Sequence, residues 1–210
     1  MIFDNLTEKE KISIHKLTNY GLAKAAQSLE QILKTSMETN PVSFGVNTVN
    51  GLPEYCTKKE GKVHLLKTHI IGDIKGMCYL VFSEDEVVKI HNKCLPPEIL
   101  SNNSPESRLI KLEMLTEVDN IVTASVITQF ANYLKLKIYG HVPSLHIKKG
   151  EEVNKYIQAE SIVMSSTVQF RSYFYAEELD ISPEFIWLLE GDFIKQSKKY
   201  AKKNETLELY

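Results

Sequence analysis

Two stretches of this chain can be laid over one another at a single offset, and that repeat limits the folds open to it. Setting Asn19 on Asn120 places residues 10–34 on residues 111–135, an offset of 101. Identical residues then fall at Asn19/Asn120, Ala23/Ala124, Leu33/Leu134 and Lys34/Lys135. Each stretch reads as an amphipathic helix. In the first, from Ser13 to about Lys34, the residues Ile14, Ala25, Leu29 and Ile32 share one side at 3.6-residue spacing. The second covers about 107–135.

The order of elements behind each helix also repeats. After the first come extended segments at Pro41–Val49, ending on the turn signal Asn50-Gly51, then Val63–Ile71 and Met77–Phe82, split by Gly72-Asp-Ile-Lys-Gly76 as a hairpin. Ser83 offers an N-cap to a helix that carries Glu84, Asp85 and Glu86 in its first turn and stops before Pro96-Pro97. After the second long helix come Leu145–Ile147, Ser161–Ser172 and Phe185–Leu189, then a last helix at about 192–203. The chain reads as one domain of two pseudo-repeats, about 8–95 and 107–204, joined by a linker at 96–106.

Composition narrows the function classes. A formal net charge of −2 supplies no whole-chain attraction for nucleic acid or an anionic membrane. The late lysines 195, 198, 199, 202 and 203 read as a solvated helix end. No segment is long and apolar enough to span a membrane, and the N-terminus is too acidic for a signal peptide. Three cysteines without a Cys-x-x-Cys motif suit a reducing compartment, so the expected location is cytoplasmic. The six histidines show no metal spacing; His64 and His69 point to opposite faces of a strand. No metal site is expected, and no Gly-rich phosphate loop or Gly-x-Ser-x-Gly turn is present. Trp187 and the aromatics of 170–175 read as sheet packing.

The residues with a chemical reading lie on the second long helix. On an ideal helix Glu113, Glu117 and Asn120 fall within roughly 60° of one another, opposite Leu115, Val118, Val122 and Val126. A carboxylate and an amide one turn apart can hold a partner's cation and orient a water. They contain no strong nucleophile.

Glu117-Val-Asp-Asn120-Ile, then Ala124, Gln129-Phe-Ala-Asn-Tyr-Leu134 and Pro143, resembles the signature of the CheC/CheX/FliY phosphatases of bacterial chemotaxis. That signature is an acidic residue or serine, three residues, glutamate, two residues, asparagine, then a helix of small residues. The stretch from Asn19 to Leu33 resembles the first such helix of the family, and Phe170–Leu189 its final strand pair. The resemblance implies a CheC-like α/β (α+β) fold: two pseudo-symmetric helix–strand–strand–strand–helix halves sharing a mostly antiparallel sheet, with both long helices on one face. It implies hydrolysis of the aspartyl phosphate on a CheY-like response-regulator receiver domain, as in two-component signalling. In that role Asn120 positions the attacking water, Glu117 pairs with a lysine of the partner, and Glu113 is accessory. Mg2+ belongs to the partner's acidic pocket; this chain binds no cofactor. A CheD-like deamidase is a further implied partner.

The first helix departs from the signature. Lys16 stands at the glutamate position and Ile12 at the leading acidic position, so Lys16 and Asn19 form a degenerate first site. That loss motivates the alternative, a non-catalytic module that docks a receiver, a CheD-like protein or flagellar-switch components.

Overall fold

The computed structural model describes residues 6–40, 43–47, 59–162, 164 and 167–203, with the side chains of 43–47, 162 and 202–203 excepted. Pro41, the Asn50-Gly51 turn and Cys56 lie outside the described residues. The first long helix, α1, spans Glu8–Leu33. It starts earlier than Ser13, because Thr7 and Glu10 form a capping box. The Thr7 hydroxyl accepts from the Glu10 N–H, and the Glu10 carboxylate accepts from the Thr7 N–H at 2.8 Å. Two short strands follow, β1 (Glu38–Thr39) and β2 (Ser43–Asn47), then the hairpin β3 (Lys62–Gly72) and β4 (Gly76–Ser83). Gly72 turns that hairpin at φ 110, and a Cβ there would lie 2.1 Å from the Lys137 carbonyl oxygen. Helix α2 (Glu84–Cys94) starts at the expected Ser83 cap, where Glu86 closes a second capping box.

The linker is not bare. It holds one helical turn, α3 (Pro97–Leu100), before α4 (Pro105–Leu134) begins on a Ser104 cap. Strands β5 (Ile138–Gly140) and β6 (Ser144–Lys149) come next. Helix α5 (Gly150–Ile162) then occupies sequence that carries no clear helical stripe, and the strand expected from Ser161 starts only at Thr167 as β7 (Thr167–Tyr175). Ser161 belongs to the end of α5. Strand β8 (Glu184–Glu190) and α6 (Asp192–Lys203) complete the chain.

All strand pairs among the described residues are antiparallel. The sheet runs β1-β7-β8-β4-β3-β5, with β2 also on β7 and β6 also on β3. Exchanging β1 with β5, β2 with β6, β3 with β7 and β4 with β8 returns the same order reversed. The halves are therefore pseudo-symmetric about the β4–β8 pair, and α5 has no counterpart among the described residues of the first half. Within α1 and α4 the matched positions share environments. Asn19 and Asn120 are exposed, Ala23 and Ala124 are exposed, and Leu33 and Leu134 are buried. Lys34 and Lys135 both cap their helices in the left-handed region, at φ 50 and 57.

Both long helices pack on one face of the sheet. Their contacts pair Tyr20 with Tyr133, Gly21 with Val126 and Ser28 with Ser125, so they cross antiparallel. The core between helices and sheet joins Ile14, Leu29, Val122 and Phe130 to Leu80, Phe170, Phe185 and Trp187. The opposite face is covered in part by α5, which sets Val153 and Ile157 on Val63, Leu65, Tyr79 and Leu188. Cover on both faces explains why β3 and β4 read as nearly continuous apolar runs. His64 is buried and His69 exposed, on opposite faces as expected. Among the described residues no helix is long and apolar enough to cross a membrane.

Gly21 sets how closely the two helices approach. A Cβ there would meet Val126 Cγ1 at 2.8 Å and Phe130 Cε1 at 3.5 Å. Val126 is branched and buried, so it has little room to withdraw. The variant Gly21→Val is expected to lose about 2 kcal/mol in urea unfolding, despite replacing a mid-helix glycine. Unchanged stability would show that the crossing is looser than these contacts imply.

Candidate functional site

Glu113, Glu117 and Asn120 all stand exposed on α4, and Leu115, Val118, Val122 and Val126 are buried beneath them. Ala124 continues the exposed stripe one turn on. Among the described residues, neither Glu117 nor Asn120 has a side-chain hydrogen bond or ion pair within the chain. Both are thus open to a partner. They are three helical steps apart, about 4.5 Å along the axis.

One of the two residues between them, Asp119, was not singled out by its sequence. Asp119 is completely buried. Its carboxylate accepts from the Thr68 hydroxyl of β3 at 2.7 Å and from the Thr123 hydroxyl of α4 at 3.4 Å. Thr123 in turn lies 3.2 Å from the Cys78 thiol of β4. This network fixes the rotation of α4 on the sheet, and that rotation turns Glu117 and Asn120 outward. The signal was on the helical wheel, because Asp119 falls among Leu115, Val122 and Val126 on the apolar side.

Burial raises the Asp119 pKa from 3.8 to about 7, against the opposing pull of the Thr68 and Thr123 hydrogen bonds. The folded state therefore keeps a proton that the unfolded chain has already lost between about pH 4 and pH 7. Stability supplied this way is full below the ordinary aspartate pKa and is lost as pH rises through 7. The loss attributable to Asp119 is expected to be roughly 2–4 kcal/mol across that window. Urea unfolding at pH 4.5 and pH 8 tests it: Asp119→Asn should depend less on pH than the parent by that amount. Equal pH dependence in both proteins would refute the assignment.

The first helix presents Lys16 and Asn19 on its exposed side, with Ile12 53% exposed at the place matching Glu113. The side chains of both signatures are thus displayed alike, but the charge is reversed in one. The antiparallel crossing puts the two displays at opposite ends of the helix pair. Among the described residues, no group of three or more His, Cys, Asp or Glu is placed to hold a metal ion.

No protein-family model matches the chain, and no curated protein matches it. Solved structures do. FliY from Thermotoga maritima superposes with a TM-score of 0.67 at 20% identity, over 95% of this chain and 98% of that one. The CheX–CheY–BeF3–Mg complex from Borrelia burgdorferi matches at 0.53 and 13% identity, over 82% and 97%. This is the CheC-like fold. A FliM from H. pylori, solved in complex with SpeE, shares it with a TM-score of 0.58 at 7% identity, over 97% and 100%. In the CheC-like fold of this chain, α1 and α4 lie side by side on one face of the shared sheet.

Proposed function

We propose that the protein hydrolyses the aspartyl phosphate of a CheY-like receiver domain through Glu117 and Asn120 of α4. One observation carries the reading: the two side chains stand exposed one turn apart, on a helix whose rotation Asp119 fixes. An acyl phosphate is already activated, so the main task is to place a water in line with the departing aspartate. The Asn120 amide can accept from that water through its oxygen and donate to it through its nitrogen. The water oxygen forms a bond to phosphorus, the bond from phosphorus to the aspartate oxygen breaks, and inorganic phosphate and a carboxylate result. The water's proton passes to a phosphate oxygen or to solvent. Positioning of this kind lowers a barrier without a strong base. Glu117 pairs with a lysine in the partner's pocket, which anchors the helix, and Glu113 adds negative charge one turn earlier. Mg2+ is held by the partner. The likeness to CheX, solved together with CheY, supports the choice of partner.

A second reading comes from the other helix and from the FliM likeness. Half of the signature has been lost at Ile12 and Lys16, as expected of a module that binds a receiver, a CheD-like deamidase or flagellar-switch components without chemistry. The two readings separate when a phosphorylated receiver is mixed with saturating protein. A shortened aspartyl-phosphate lifetime supports catalysis; tight binding with an unchanged lifetime supports the binding module.

A further inference from the structure

A groove of about 370 Å3 opens beside Glu117, where the end of α1, the end of α2 and the middle of α4 meet. Its apolar walls include Ile32, Met114 and Ile121, and Lys34 and Lys93 stand at its mouth. Ile32, Met114 and Ile121 are each only partly buried, so the walls are open to a partner. The volume suits one or two side chains.

The pseudo-symmetry gives this groove its meaning. At the offset of 101, Ile121 corresponds to Tyr20 and Ile32 to Tyr133. Those tyrosines pack edge to face at 5.3 Å at the other end of the helix pair, with Tyr200 of α6 nearby. The end that has lost its glutamate is filled by the chain's own aromatic rings. At the end that keeps Glu117, isoleucines stand in the same two places beside an open groove. The lysines at its mouth are opposite in charge to a phosphorylated carboxylate pocket.

We propose that the groove is the second half of the receiver-docking surface. It takes an apolar side chain from the rim of the receiver's phosphorylation pocket, while Lys34 and Lys93 meet the negative charge of that pocket. The inference rests on the roles proposed for Glu117 and Asn120. It makes the site composite: α4 supplies the Glu/Asn pair, and the ends of α1 and α2 supply selectivity.

The test copies one end of the molecule onto the other. Ile32→Tyr with Ile121→Tyr installs a pair that the fold already accommodates at the matching positions. Affinity for the phosphorylated receiver should fall at least about tenfold. Dephosphorylation at saturating receiver should stay within about twofold, because Asn120 is untouched. The mirror variant, Tyr20→Ile with Tyr133→Ile, should bind as the parent does. Should the tyrosine pair fail to fold, Lys34→Asn with Lys93→Gln carries the test. Asparagine tolerates the left-handed cap, and among the described residues Lys93 loses only a surface pair with Glu178. This double variant should weaken binding and flatten its salt dependence, and Lys135→Asn should not. Parent-like affinity in the groove variants, alongside weakened binding by Glu117→Lys, would overturn the groove and leave the Glu/Asn site standing. A parent protein that binds no phosphorylated receiver would overturn both.

Discussion

Replacing Asn120 by alanine should slow the loss of phosphate from the receiver about 100-fold while leaving affinity for it within about twofold. The side chain is exposed and has no described partner within the chain, so its removal leaves no cavity and no buried polar group. Alanine is also the better helix former, so α4 should not weaken. The loss then falls on the transition state, where the amide holds water against phosphorus, and kcat should drop with little change in KM. Asn120→Asp makes the complementary case. It keeps the size, cannot donate through nitrogen, and puts a negative charge beside the phosphoryl group. It should be at least as slow as the alanine variant. A parent-like rate in Asn120→Ala would remove Asn120 from the chemistry.

Glu117→Lys should act on the other quantity. The substitution meets a lysine of the receiver with a like charge, so affinity is expected to fall about 100-fold, with most of the loss in the dissociation rate. It also recreates, on α4, the Lys16–Asn19 pair that α1 carries. If α1 is a degenerate site because of that lysine, the variant should dock no better than α1 does. Binding titrations at two salt concentrations check this. Unaltered affinity would contradict the pairing of Glu117 with a cation and favour a different docking face.

The expected elements that were found share a physical cause. Local chemistry wrote the Ser83 cap, the hairpin break at Gly72–Gly76 and the stop before Pro96, and these appear where the sequence puts them. The wheel of α4 likewise told which side is buried, from Leu115 to Val126. The elements that were missed depend on partners far along the chain. Helix α5 offers chiefly Val153 and Ile157 to the core, and its position is fixed by the sheet face it covers. Strands β1 and β5 are 2 and 3 residues long and exist only through pairing with β7 and β3. The earlier start of α1 was legible, because Thr7 and Glu10 hold capping-box spacing, although the apolar periodicity alone pointed to Ser13.

At the site, sequence placed Glu113, Glu117 and Asn120 on one exposed face, but not the support beneath them. Asp119 meets Thr68 across 51 residues, and nothing in either segment alone announces that hydrogen bond. The groove beside Glu117 is less local still, since α1, α2 and α4 each supply one wall. Only the superposition of the two halves shows that Tyr20 and Tyr133 occupy, at the other end, the places that Ile121 and Ile32 hold here.

The most direct measurement tracks the decay of aspartyl phosphate on a receiver present in large excess over this protein. Catalysis through Asn120 predicts many turnovers per molecule and a decay rate proportional to protein concentration, with both lost in Asn120→Ala. A decay rate that stays at the receiver's own value, although the two proteins bind, would contradict it.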